Sequence, residues 1–269
     1  MRKIIALLTD FGLKNNYVGV MKGVIKSISP EAEIIDITHS ILPQNIKQAA
    51  FVLMNSYKYF PDGTIFLSIV DPEVGSDRLG IGTYINGKYF IAPNNGLLSY
   101  VIKNIKLKQF FSFDKSEFHL DQISSTFHGR DIFAPIAAHI ANGKKLEEVG
   151  RKIGTNEIII IPFPQCFLDI QGVWHGEVVE IDIFGNAITS LSIDNLKINI
   201  NDYNDNLRWK FESGDFKIKG LSKTFSDVKV GMPLVYAGSS GFIEIGIRDG
   251  NAAEKFGLEI GQNVYAIKE

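Results

Sequence analysis

A chain of 269 residues with 45% hydrophobic and 22% charged positions has ordinary globular composition, enough for one large domain or two smaller ones. A formal net charge of −2 gives no electrostatic case for nucleic acid or an anionic membrane as partner. The single cysteine, Cys166, excludes an internal disulfide and a multi-thiolate metal site, and the apolar run 4–8 is too short for a membrane span or a secretory core. These features lead us to expect a soluble, cytoplasmic protein with no targeting segment.

Residues 3–9 read as a buried strand closed by Asp10-Phe11-Gly12. Asn15 and Asn16 can cap a helix whose apolar positions Val18, Met21, Ile25 and Ile28 follow a 3.6-residue period, and Pro30 ends it. A second strand covers 32–37, with Asp36 and His39 at its end, and Pro43 is expected to open a helix running to about Tyr59. After the turn Pro61-Asp62-Gly63, the β-branched and aromatic run 64–70 reads as a strand buried on both faces, stopped by Asp71-Pro72. Gly75 then permits a tight turn before Arg78.

Strands alternating with helices predict right-handed crossovers and an α/β domain with a mainly parallel sheet flanked by helices. Parallel strands all point one way, so Asp10, Asp36 and Asp71 should emerge together at the carboxyl edge, where open α/β sheets bind ligands. Asn86-Gly87 between 81–85 and 88–92 is a strong hairpin signal. A short helix at 97–103, a strand at 109–113 and an apolar helix at 132–141, opened by Phe127-His128-Gly129-Arg130-Asp131 and stopped by Asn142-Gly143, complete this half.

The pattern changes at Pro162-Phe163-Pro164. Short alternating segments follow at 176–183, 207–211, 233–237, 242–247 and 262–267, with helical period only at 252–256. The expected division is an α/β domain over 1–162 carrying a catalytic edge and a barrel-like all-β domain over 163–269.

Several polar clusters could carry chemistry. Arg78 beside Asp71 would hold that carboxylate ionised, and His128 lies in a glycine-containing turn at a helix start, where backbone N–H groups favour anions. Together they could hold and polarise a water or hydroxide; equally, they could be a structural ion pair and a capping histidine. Asp10, Asp36, His39, Asp71 and His128 could instead form a metal site, though no HExxH or DxD spacing supports one and Arg78 would repel a cation. His119, His139 and His175 read as surface or satisfied core histidines. The turn Asp182-Ile183-Phe184-Gly185-Asn186 is either an ordinary turn or a nucleoside grip, with an aromatic face and an amide that pairs with adenine. Ser239-Ser240-Gly241 is a hairpin turn or a backbone nest for a carboxylate.

In order along the chain, TDFG at 9–12, DITH at 36–39, VDPEVG at 70–75, APNNG at 92–96, FHGRDIFAP at 127–135, FGNAIT at 184–189 and SSG at 239–241 together resemble the S-adenosyl-L-methionine hydroxide adenosyltransferase family, relatives of fluorinase and chlorinase. The resemblance covers nearly the whole chain. It implies hydrolysis of S-adenosyl-L-methionine to adenosine and L-methionine without cofactor or metal, in a homotrimer with sites between one subunit's N-terminal and a neighbour's C-terminal domain. It carries the catalytic set onto Asp71, Arg78 and His128, with Gly129 N–H near the nucleophile. It places Asp10 on the ribose, Asn186 on the adenine, Phe184 and Phe127 as pocket walls, and Asn15, Asp182, Ser239 and Ser240 toward the methionine end. Asn15 stands where the family usually has a carboxylate, Glu73 replaces a common glycine and Asn94 a common aspartate. A halogenase on the same scaffold is the alternative, although the halogenases lack this Asp–Arg pair; a non-catalytic sensor of adenosine or S-adenosyl-L-methionine is another.

Overall fold

The computed structural model describes residues 3–103, 105 and 109–269, and the chain divides into two compact units, Met1–Pro162 and Phe163–Glu269. No helix among the described residues is long and apolar enough to cross a membrane.

The first unit runs β1 (Ile4–Thr9), α1 (Tyr17–Ile28), β2 (Glu33–Thr38), α2 (Ile46–Ser56), β3 (Ile65–Ile69), β4 (Gly80–Ile85), β5 (Lys88–Pro93), α3 (Ser99–Ile102), β6 (Phe110–Ser112), α4 (Ala134–Ala141), α5 (Leu146–Val149) and β7 (Arg151–Ile153). Its seven strands form one mixed sheet in the order β2-β1-β3-β5-β4-β6-β7. β2, β1, β3 and β5 are parallel neighbours, whereas β4, β6 and β7 join by antiparallel pairing. The β4–β5 reversal is the expected Asn86-Gly87 turn. Both residues take positive φ, 49° and 76°, which matches the twist of the flanking strands.

Alternation along the central strands builds two cores, one on each face. Ile5, Leu7, Leu67 and Ile69 pack with Met21 and Ile25 of α1 and with Ile136 and Ile140 of α4. Ala6, Leu8 and Phe66 point the other way and pack with Ala49 and Leu53 of α2 and Val101 of α3.

Three local expectations are corrected. Helix α1 begins after Asn16, yet no side-chain capping bond forms there. Helix α2 starts at Ile46 rather than Pro43, because Gln44 adopts φ 66° and the Asn45 side chain accepts from Gln48 N at 3.0 Å. The helix after His128 opens as a π-helical turn, Gly129–Phe133, before α4 continues in α geometry.

The second unit contains β8 (Cys166–Leu168), β9 (Val173–Ile181), β10 (Ala187–Ser192), α6 (Ile193–Leu196), α7 (Tyr203–Leu207), β11 (Trp209–Ser213), β12 (Phe216–Lys219), β13 (Pro233–Ala237), β14 (Phe242–Ile247), α8 (Ala252–Phe256) and β15 (Asn263–Lys268). The strands form an antiparallel sheet ordered β12-β11-β15-β9-β10-β14-β13, with β8 on β9. The chain after β12 reaches β13 through one bridge, Ser222 to Tyr236, so the curled sheet nearly closes on itself. Val178, Trp209, Phe211, Ile243, Ile245 and Val264 fill its interior.

Phe66 lies fully buried, stacked on Phe90 at 5.1 Å and edge-on to Phe60 at 5.2 Å. Phe66→Ala should therefore lower unfolding free energy by roughly 3–5 kcal/mol in a denaturant titration.

Candidate functional site

Because β1, β2 and β3 are parallel neighbours, their carboxyl ends bring Asp10, Asp36 and Asp71 to one edge. Their surroundings then separate them. Asp36 is tied to Lys22 Nζ at 2.6 Å and His39 Nε2 at 3.1 Å, while His39 Nδ1 bonds Thr9 Oγ1 at 2.8 Å. Burial works against its charge, yet the bonds from Lys22 and His39 hold Asp36 below the usual carboxylate range. These groups lock the end of β2. Among the described residues, no three His, Cys, Asp or Glu side chains gather in a set that could hold a metal ion.

Asp71 belongs to a different cluster. Arg78 Nε donates to Asp71 Oδ1 at 2.8 Å and its Nη2 to Asp71 Oδ2, a bidentate pair whose side chains are only 5% and 6% exposed. The same Nη2 lies 3.2 Å from His128 Nδ1, and the guanidinium sits over the Phe133 ring at 5.1 Å. A guanidinium can only donate, so His128 Nδ1 accepts and the neutral ring carries its hydrogen on Nε2. Burial first, and the Arg78 charge second, push the His128 imidazole below its ordinary value; Asp71 and Asp131 oppose them.

Two backbone features bring these side chains together. The loop after Asp71 passes Gly75 at φ +84°, and a Cβ there would collide with the carbonyl oxygen of Ser125. Only glycine lets this loop lie against the segment leading to His128. That segment is in turn pinned by Asp131, fully buried, which accepts from Arg130 Nη2 at 2.9 Å and Ser124 N at 2.8 Å.

Beside the cluster lies a hollow of about 360 Å³ lined by Asp10, Phe11, Tyr17, Pro43, Gln44, Asp71, Pro72 and Val74. Asp10 Oδ2 accepts from Gln44 N at 2.8 Å, leaving Oδ1 for other partners. Phe11, Tyr17 and Phe127 form an aromatic trio with centroids 5.3 to 5.9 Å apart. Gly129 is buried against Phe11 and Met21, and Asn15 is exposed. Sequence reasoning had not placed Tyr17 or Gln44 here; neither lies in a motif, and only the fold shows their position.

Glu73 is exposed, whereas Asn94 is buried and structural: its amide donates to Glu157 O at 2.8 Å and accepts from Ile159 N at 3.0 Å. His175 bonds Asp169 at 2.7 Å and His139 packs on Phe118 at 5.2 Å, as ordinary histidines do. His119 differs from expectation, because both its ring nitrogens are buried without a hydrogen-bond partner among the described residues.

In the second unit, Asp182 closes its turn on itself. Oδ1 accepts from Phe184 N and Asn186 N, both at 2.9 Å, and Oδ2 from Asn186 Nδ2 at 2.9 Å. Asn186 is buried, and its Oδ1 faces Gly246, where a Cβ would stand 2.7 Å away. A hollow of about 400 Å³ opens here between Phe184, Asn186, Phe225, Ile247, Asp249 and Gly250. Phe184 is 69% exposed, a largely uncovered flat apolar face. Ser239 and Ser240 cap the β13–β14 hairpin, and their amides meet no acceptor among the described residues.

The N-terminal domain model of the SAM hydroxide adenosyltransferase family matches residues 5–150, and its C-terminal domain model matches residues 176–265. The chain belongs to this family. Among its relatives are an (R)-S-adenosyl-L-methionine hydrolase from Thermus thermophilus, 31% identical over 96% of both chains, and a fluorinase from Actinopolyspora mzabensis, 30% identical over 98% of this chain and 96% of that one. A solved structure of an uncharacterized conserved protein from Thermotoga maritima superposes with a TM-score of 0.89 at 36% identity, covering 98% of this chain and all of the other. All seven motifs that suggested a SAM hydroxide adenosyltransferase lie within or between the two matched regions.

The neutral state of His128 gives a direct test. In an NMR titration its imidazole should take up a proton below its ordinary value of 6.5, and Arg78→Met should move that midpoint upward by removing a neighbouring positive charge. Since the folded ring binds its proton less tightly than the unfolded chain, its contribution to stability is intact above pH 6.5 and declines as pH falls through it.

Proposed function

We propose that this protein hydrolyses S-adenosyl-L-methionine to adenosine and L-methionine, with the oxygen of water attacking C5′. The observation that carries the reading is the buried Asp71–Arg78 pair, with Asp71 in the wall of the unit-one hollow and Arg78 donating onward to a neutral His128, in a chain of this family.

The chemistry asks little of an acid. As the C5′–O bond forms, the C5′–S bond breaks and its electron pair neutralises the sulfonium, giving a thioether; the proton lost by water passes to solvent. What remains is to hold the oxygen in line with C5′ and to stabilise charge as it develops. Arg78 and the Nε2–H of His128 supply donors, Gly129 N–H is a further one, and Asp71 fixes the guanidinium plane. None of these roles needs a metal or an organic cofactor.

For the rest of the substrate, Asp10 is proposed on the ribose, with the Phe11–Tyr17–Phe127 trio as apolar wall. Asn186 with Phe184 reads the adenine, and Ser239 and Ser240 offer amides to the methionine carboxylate. Asn15 and the Asp182 turn border the same end. The two groups of residues lie in separate units, and we propose that they meet between neighbouring subunits of a homotrimer. With Cys166 as sole thiol, the enzyme suits a reducing cytosol. The fluorinase relatives support a halide-using second reading on the same scaffold.

Purified protein mixed with S-adenosyl-L-methionine should yield adenosine and methionine on chromatography, unchanged by a chelator. A halogenated nucleoside appearing in chloride or fluoride would instead favour the second reading, and binding without products would indicate a sensor. Asp71→Asn is expected to cut kcat roughly 10²- to 10³-fold while substrate still binds by calorimetry; equal loss of both would contradict its orienting role. Light scattering should give three times the 29.9 kDa chain mass.

A further inference from the structure

Strand β14 is buried along its whole length, yet it contains a carboxylate. Ile243, Ile245 and Ile247 point into the barrel core, so Phe242, Glu244 and Gly246 share the opposite face. Gly246 lies against two residues of the Asn186 hollow, since a Cβ there would crowd Asn186 Oδ1 and Phe225 as well as Tyr236. Glu244 is the next residue on that face and is 9% exposed. Its Oε2 accepts from the Tyr236 hydroxyl, directly across on β13, at 2.6 Å. Its Oε1 lies tight against Gly238, where any Cβ would collide with it, at the base of the Ser239-Ser240 hairpin.

No lysine, arginine or histidine pairs with Glu244 among the described residues. Burial pushes its carboxyl above the usual range, the Tyr236 bond opposes this, and the nearby Asp182 charge adds to the rise. Asp182 itself cannot relieve the shortage of positive charge, and its own oxygens are already taken by three N–H donors. A buried acid lacking a cation is costly, and the cost disappears when a cation arrives.

Resting on the proposed hydrolysis, we infer that Glu244 receives the ammonium group of the substrate's amino-acid end. An α-amino acid carries its ammonium one carbon from its carboxylate, and here the unpaired carboxyl lies immediately below the hairpin whose two free amides suit a carboxylate. The row from Phe184 and Asn186 across Gly246 to Glu244 and Ser239 then reads one elongated ligand, adenine at one end and amino acid at the other. Glu244 would determine specificity for nucleosides bearing an amino acid over bare ones.

Calorimetry on the full chain tests this with three ligands: S-adenosyl-L-methionine, S-adenosyl-L-homocysteine, which keeps the ammonium but lacks the sulfonium, and adenosine, which has neither. Glu244→Gln keeps the acceptor for Tyr236 and loses the charge. Affinity for the two amino-acid ligands should fall about 10- to 100-fold, with adenosine within about twofold. In turnover, KM should rise while kcat changes little. Equal weakening of all three ligands, or of none, overturns the assignment, and so does weakening confined to S-adenosyl-L-methionine, which would point to the sulfonium. Tyr236→Phe, which leaves Glu244 charged, should preserve the preference for S-adenosyl-L-homocysteine over adenosine; its collapse counts against the inference. Should wild-type protein bind none of the ligands, the hydrolase reading itself fails, a result distinct from tight binding that Glu244→Gln leaves unaltered.

Discussion

The pairing of Asp71 with Arg78 is the constraint on which the candidate site depends. Two opposite charges almost withdrawn from water lose several kcal/mol of hydration each, and a fork of two parallel hydrogen bonds is needed to offset that loss. Removing either partner would strand the other, so the pair is held together by necessity as much as by attraction. It also fixes what surrounds it. A guanidinium locked in plane by Asp71 has one direction left in which to donate toward His128, and that direction sets the imidazole's tautomer.

The backbone serves this arrangement. β3 delivers Asp71 because an apolar strand must end before a carboxylate, and the positive φ of Gly75 folds the following loop back against Ser125. The π-helical turn after His128 places one extra residue in the first turn, so Asp131 points inward to anchor the 120–127 loop while Phe133 slides beneath Arg78. In the second unit the same economy appears as a self-closed turn: Asp182 spends its acceptors on Phe184 and Asn186, which leaves one ring exposed and one amide poised.

Much of the architecture was readable from the chain. Strand–helix alternation over the first 70 residues reports a parallel sheet because both faces must be covered, and Asn86-Gly87 reports a hairpin because few residues accept two positive φ values in succession. Convergence of Asp10 and Asp71 at one edge followed from strand direction alone. Other features left no local trace. β8, β10, β12, α5 and β7 are short or bordered by polar residues and offer no sustained hydropathy pattern, and β7 in addition pairs with β6, distant in sequence. Leu207 reads as the start of a strand by hydropathy but ends α7. The π turn keeps the apolar pattern of an α-helix, so periodicity could not reveal it. Glu244 was visible as a lone charge inside an apolar strand, yet only register places it beside Tyr236 and under the hairpin.

The tautomer of His128 has one more consequence. With Nδ1 occupied by Arg78, the imidazole edge that remains, like the guanidinium, presents hydrogens and no lone pair. Such a pair of donors suits negative charge and is indifferent to which element bears it: hydroxide and halide ions would both be welcomed. Discrimination between them would then have to come from size and from whatever nearby oxygen can receive hydroxide's own hydrogen, the one property a monatomic anion cannot imitate.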